Sequence, residues 1–190
     1  DTKETDPTKQ TASIIIRDNT IQRIGIEYHG APGLHTFCMR DSSIENNMIT
    51  DVSYSGISYN WPNPQGPTLG PLEFNSTIGY SANNRIVDND VSFFMRYMND
   101  GGGIHTIGRS YNTTISGNYF HDLGSGNPGE HSLFAQSIIY IDNWSCFFNI
   151  TNNVVVNCPH TKQGYTYFQG MGPNGGAAAA GAGRERARET

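Results

Sequence analysis

Ile86-Val87-Asp88-Asn89-Asp90-Val91-Ser92-Phe93-Phe94 is one copy of a pattern that recurs along the chain: apolar, two variable residues, Asn, one variable, apolar, two variable, apolar. The same order reads Ile16–Asn19–Ile21–Ile24, Ile44–Asn47–Ile49–Val52, Ile115–Asn118–Phe120–Leu123 and Ile150–Asn153–Val155–Cys158. Internal spacing never changes, yet 28, 42, 29 and 35 residues separate successive starts. A rigid motif on elastic spacers marks a solenoid whose turns differ only in their loops. Apolar and polar residues alternate beside each Asn, which suits a strand rather than a helix. An Asn at one point of every turn can bond to the Asn of the next through its amide. The expected fold is all-β, a parallel β-helix of about five rungs with loop insertions on one side.

Composition limits what such a coil can do. A chain of 190 residues is expected to be one domain. The divisions expected are a polar lead at 1–12, the β-helix at 13–169, and a Gly/Ala-rich then charged tail at 170–190. Five rungs at about 4.8 Å each give an axis of about 24 Å. Neither terminal segment resembles a cap for an open coil end, and bare sheet edges attract further strands. The expectation is therefore a segment of a longer chain or a unit that stacks on copies of itself. A net charge of −5, with three of the arginines in the last seven residues, argues against a nucleic-acid surface. Apolar runs are too short to span a bilayer as helices. The chain starts at Asp1 without a start methionine or signal peptide, so numbering is expected to begin within or after processing.

Asn75, Asn112, Asn143 and Asn149 each open an Asn-X-Ser/Thr sequon, which points to a secreted, extracellular glycoprotein. Cys38 falls about three rungs from Cys146 and Cys158, out of disulfide reach, and Cys158 takes an inward position; buried free thiols are expected.

In chain order, the first rung runs from near Ser13 to a turn at Gly30–Gly33, and the second covers Thr36–Tyr59. Asn60–Asn84 is too rich in Pro and Gly to continue a sheet and reads as a surface loop. The third rung covers Arg85–Arg109 and the fourth Thr113–Ile141, with a second insertion at Gly124–Gln136, and the fifth ends near Tyr167-Phe168. Insertions that gather on one face of a repeat fold usually mark its binding face.

Two stretches beside those insertions carry candidate chemistry: Asn99-Asp100-Gly101-Gly102-Gly103-Ile104-His105-Thr106-Ile107-Gly108 and Ile138-Ile139-Tyr140-Ile141-Asp142. Ile104 and Ile139 each precede the next leading Ile by eleven residues, so they should stack. If both point inward, His105 and Tyr140 point outward one above the other, with Asp142 two residues along. Three glycines after Asp100 are expected to let its carboxylate fold back over that face. The product is a shallow wall with two carboxylates, an imidazole and a phenol, the groups that glycosidic cleavage uses. Trp61, Tyr59 and Tyr140 suit stacking on sugar rings, and Arg96 and Arg109 suit acidic sugars. His121-Asp122 reads as a structural hydrogen-bonded pair at a rung corner. No metal spacing is recognisable and no cofactor is implied.

Asp100-Gly-Gly-Gly-Ile-His-Thr-Ile-Gly108, followed by Asn118-Tyr-Phe-His-Asp122 and Tyr140-Ile-Asp142, resembles a pattern in right-handed parallel β-helix glycoside hydrolases of fucosidase and xylosidase type and their uncharacterised relatives. The resemblance covers Asp88 to Cys158. It implies a catalytic pair, Asp100 and Asp142, with Glu130 of the second insertion as a substitute, and a polysaccharide or glycan as partner. His105, Tyr140, Trp61 and Arg109 are the expected substrate contacts. His105 stands where that family has Tyr, and Asn143-Trp144-Ser145-Cys146 replaces the acidic and small residues expected after the second Asp. The opposing reading is a non-catalytic extracellular structural or adhesive glycoprotein, a filament subunit stacking end to end; bare coil ends and the sequons point there. A polysaccharide lyase ranks third, because it would want a Ca²⁺ cage of several acids.

Overall fold

The computed structural model describes residues 11–60, 81–124, 136–142, 145–158 and 168–170. Those residues form fifteen strands and no helix. In order these are β1 (Ile15–Arg17), β2 (Thr20–Ile24), β3 (Leu34–His35), β4 (Ser43–Glu45), β5 (Met48–Val52), β6 (Ile57–Tyr59), β7 (Arg85–Val87), β8 (Asp90–Ser92) and β9 (Gly101–Thr106). The rest are β10 (Arg109–Ser116), β11 (Tyr119–His121), β12 (Gln136–Ile141), β13 (Cys146–Thr151), β14 (Val154–Val156) and β15 (Phe168–Gly170). They assemble into three sheets of five, ordered β1-β4-β7-β10-β13, β2-β5-β8-β11-β14 and β3-β6-β9-β12-β15. Every pairing is parallel, and each strand's neighbours lie three elements away in sequence. This all-β, all-parallel arrangement is consistent with the solenoid expected from the repeat.

Register follows the Asn motif. Ile16 pairs with Ile44, Ile44 with Ile86, and Ile86 with Ile115, which pairs with Ile150. A second inward column joins Ile21, Ile49, Val91, Phe120 and Val155, and a third joins Leu34, Ile57, Ile104 and Ile139. Together they form one continuous apolar core.

The Asn residues stand in one column. Asn19 Nδ2 donates to Asn47 Oδ1 at 3.0 Å, Asn47 to Asn89 at 3.0 Å, Asn89 to Asn118 at 2.9 Å and Asn118 to Asn153 at 2.9 Å. Each accepting Oδ1 also receives the backbone N–H of the Asn before it. The chain turns sharply here because the preceding residue is left-handed every time: Asp18, Asn46, Asp88, Gly117 and Asn152 have φ between 53° and 70°. Asp, Asn and Gly are the residues that enter this region at least cost.

Cys38, Cys146 and Cys158 are free thiols, as expected, but half-buried rather than buried, and that partial burial pushes each up from its ordinary value. None of the described residues forms a helix long and apolar enough to cross a membrane.

Candidate functional site

The outward column of the third sheet runs His35, Ser58, His105, Tyr140 by register. Ile104 opposite Ile139 and His105 opposite Tyr140 are the pairings that counting back along the repeat predicts. The two rings lie face to face, 4.7 Å between centroids and 13° between planes. The wall is not shallow, however. His105 is 1% exposed, Tyr140 is fully buried and Asp142 is 6% exposed, while Asp100 keeps partial access to solvent.

Burial of so many polar groups requires partners, and they are present. Tyr140 donates its hydroxyl to Asp100 Oδ1 at 3.0 Å. His105 Nε2 lies 3.0 Å from Asp142 Oδ2. A residue that sequence reasoning missed, Tyr54, closes the cluster: its hydroxyl donates to the Asp100 carbonyl at 2.6 Å and stands 3.5 Å from His105 Nδ1. Tyr54 has one proton and gives it to that carbonyl. It therefore does not donate to His105, and because a carboxylate oxygen only accepts, the hydrogen on Nε2 points at Asp142. Burial, and after it the Asp100 and Asp142 carboxylates, raises the Tyr54 phenol to about 12. Burial and the same two carboxylates, Asp142 ahead of Asp100, push Tyr140 up as well. Both phenols thus stay protonated donors throughout the neutral range.

The Asp-Gly-Gly-Gly run does something other than folding the carboxylate back by flexibility. Asp100 itself takes the left-handed conformation, with φ 63°. The glycines continue as strand β9, and each is required by close approach. A Cβ on Gly101 would meet Ser55 Oγ at 2.5 Å and the Tyr54 ring at 2.8 Å. On Gly102 it would meet the Ser137 carbonyl at 2.5 Å, and on Gly103 the Phe120 ring at 2.6 Å. The space Gly101 leaves is therefore the space Tyr54 fills. The signal for Tyr54 was its place three residues before Ile57, level with Gly101 before Ile104.

The remaining expected site residues are dispersed. Arg109 is buried at the start of β10, paired in register with Cys146, and its carbonyl accepts from Asn60 Nδ2. Tyr59 faces the interior, its hydroxyl bonded to Ser81 and Ser110, and is no sugar platform. Arg96 is ion-paired with Asp51. His121 and Asp122 do form a hydrogen-bonded pair, at 2.7 Å. Asn112 and Asn149 are exposed on the outside of the first sheet. Trp61, Asn75, Glu130 and Asn143 lie outside the described residues. Among the described residues no group of three or more His, Cys, Asp and Glu is placed to hold a metal ion.

No family model and no curated protein matches this chain. Among solved structures it is similar to a chain described as a glycoside hydrolase, at 22% identity and a TM-score of 0.52. That likeness covers 90% of this chain and 28% of the other, so this chain spans a little over a quarter of the hydrolase's length. It shows a shared fold.

Proposed function

We propose that this chain is the polysaccharide-active part of a secreted, right-handed β-helix glycoside hydrolase of about five rungs, with Asp100 and Asp142 as its carboxylate pair. The observation that carries this reading is the Asp100–Tyr140–His105–Asp142 cluster, built across adjoining strands on one outward column. Hydrolysis needs one carboxyl to protonate the glycosidic oxygen as it leaves and a second, ionised, to attack the sugar or activate water. Asp100 is the more accessible of the two and is the group that meets substrate first. Tyr140 and Tyr54 fix it through both its side chain and its carbonyl. The imidazole of His105 holds Asp142 in place. Support from outside the chain comes from the similar structure, itself described as a glycoside hydrolase. Exposed sequons at Asn112 and Asn149 support an extracellular location.

One observation favours the scaffold reading: His105, Tyr140 and Asp142 are buried and mutually bonded, as a structural polar tie would be. The two are separated by assaying Asp100→Asn and Asp142→Asn on a panel of plant and algal glycans, with thermal unfolding in parallel. For the hydrolase, each variant loses about 10²- to 10⁴-fold in kcat, and Asp100→Asn keeps the wild-type melting temperature. A wild-type protein inert on every glycan, with Asp142→Asn merely less stable, makes the cluster a structural tie.

A further inference from the structure

The corner between the second and third sheets carries a group of exposed aromatics that the proposed chemistry does not use. His29, in the turn after β2, and Tyr97, in the turn after β8, stack at 4.6 Å with 15° between planes. Both are exposed, Tyr97 at 46%, and Tyr28 beside His29 is 80% exposed. Aromatic rings gain much from burial, so a stacked pair left open to solvent is a candidate contact surface.

The backbone that carries Tyr97 is tied to the coil beneath it. The Tyr97 N–H donates to the Ser53 carbonyl at 3.1 Å, and the next N–H, of Met98, donates to the same oxygen at 3.2 Å. The Arg96 guanidinium lies 5.5 Å from the Tyr97 ring centre. A stacking surface fixed in advance loses little entropy when a ligand docks on it.

Its position ties it to the acidic cluster. Ser53 holds Tyr97 by its carbonyl, and the adjacent Tyr54 holds Asp100 by its hydroxyl. Tyr97 and Asp100 are three residues apart on one turn, so their Cα atoms lie within about 11 Å. Charge narrows the ligand. Among the described residues the cation shown against the platform is Arg96, and it is already ion-paired with Asp51, so its charge is compensated and the patch offers chiefly ring surfaces and polar edges.

We infer that the His29–Tyr97 pair, with Tyr28 beside it, is a subsite that stacks on the pyranose ring of a neutral glycan chain reaching the Asp100 cluster. Neutral sugar rings present apolar C–H faces to aromatic rings, whereas a uronate would seek a free cation that Arg96 does not supply. This rests on the reading of the chain as glycan-active and adds a place and a substrate class to it.

The test is affinity electrophoresis and calorimetric titration of the full chain on neutral polymers (xylan, glucan, mannan) and on acidic ones (polygalacturonate, alginate). Wild type should bind at least one neutral polymer more tightly than either acidic one. Tyr97→Ala should weaken that binding about fivefold or more, Tyr97→Phe should leave it within about twofold, and His29→Ala should fall between. Asp100→Asn should bind as wild type while hydrolysing about 10²- to 10⁴-fold more slowly. Preference for the acidic polymers, no binding to any neutral one, or Tyr97→Ala binding as wild type would each overturn the inference. Should Tyr97→Ala instead abolish self-association without touching glycan binding, the platform is a contact between copies and the inference again fails. Neutral-glycan binding that depends on Tyr97, with no hydrolysis by wild type, would leave the subsite standing and remove the catalytic reading.

Discussion

At the residue scale, His121 shows how a single imidazole is governed by its neighbours. Its Nδ1 lies 2.7 Å from Asp122 Oδ2, its Nε2 lies 2.9 Å from Asp90 Oδ1, and its ring stacks on Tyr119 at 4.6 Å. Partial burial disfavours the imidazolium, but hydrogen bonds to Asp122 and Asp90 outweigh it and raise the group above 6.5. Asp122 is correspondingly lowered from 3.8, through its bonds to His121 and then Asn157. The raised imidazole stabilises the fold fully below 6.5 and loses that contribution as pH rises through its higher folded value. The depressed carboxylate contributes above 3.8 and loses its share as pH falls through its lower folded value. Stabilisation by the pair is therefore greatest between about pH 4 and 6.5. His121→Gln should melt below wild type at pH 5.5, and the gap should close by pH 9; thermal melts across that range check it. The sequence announced His121 with Asp122 because the two are adjacent. It concealed Asp90, which arrives from the coil before and is legible only once Tyr119 is set opposite Asp90 in register.

Among the elements, the Asn column decides which substitutions the coil tolerates. Asn118 Oδ1 accepts both the N–H and the side-chain amide of Asn89, while its own Nδ2 donates to Ile86 O and Asn153 Oδ1. Asn118→Ala would strand the buried Asn89 N–H and take one bond each from Asn89 Nδ2, Ile86 O and Asn153 Oδ1. Of these, Asn89 Nδ2 keeps the Ile44 and Val87 carbonyls and Asn153 Oδ1 keeps the Asn118 N–H. With about 1–3 kcal/mol for the stranded group and somewhat less for each lost bond, the loss should reach about 2–4 kcal/mol. Asn19 is exposed and accepts from no earlier copy among the described residues, and the Asn47 Oδ1 it bonds keeps the Asn19 backbone N–H. Asn19→Ala should cost less than about 1 kcal/mol, and urea unfolding of the two variants side by side measures the contrast. This element was the most legible part of the chain, since a column needs only the same spacing inside every repeat, whatever the length of the spacers between them. The third sheet was harder to read. Its strands follow turns of different length, so β3 at Leu34–His35 passed unnoticed beside the Gly30–Gly33 turn. The burial of its outward column was invisible too, because alternation gives the side of a strand but not what covers it.

For the whole molecule, a stack of coils makes stability a matter of neighbours, each coil holding the ones on either side. Ile86 is fully buried between Ile44 and Ile115, whereas Ile16 is only half-buried and, among the described residues, pairs with Ile44 alone. Removing buried methylenes costs the lost transfer energy plus a cavity that the surroundings cannot close. Ile86→Ala should therefore lose about 3–4 kcal/mol and Ile16→Ala less than half of that, by urea unfolding. The same inequality bears on function, because the two proposed sites sit at different depths in the stack. Tyr54, Asp100, His105, Tyr140 and Asp142 come from β6, β9, β12 and the turns beside them, all with a coil on either side. His29 belongs to the turn between β2 and β3, which pair on one side only among the described residues. Local opening starts where buried contacts are fewest. Ile16→Ala should thus raise the exchange rates of amides in β1 and β2 while leaving those of β9 and β12 near wild type, as hydrogen exchange would record. It should also weaken glycan binding at His29 before hydrolysis at Asp100 is affected. An equal loss of both would mean that the coils open together and that the platform and the acidic cluster are one unit.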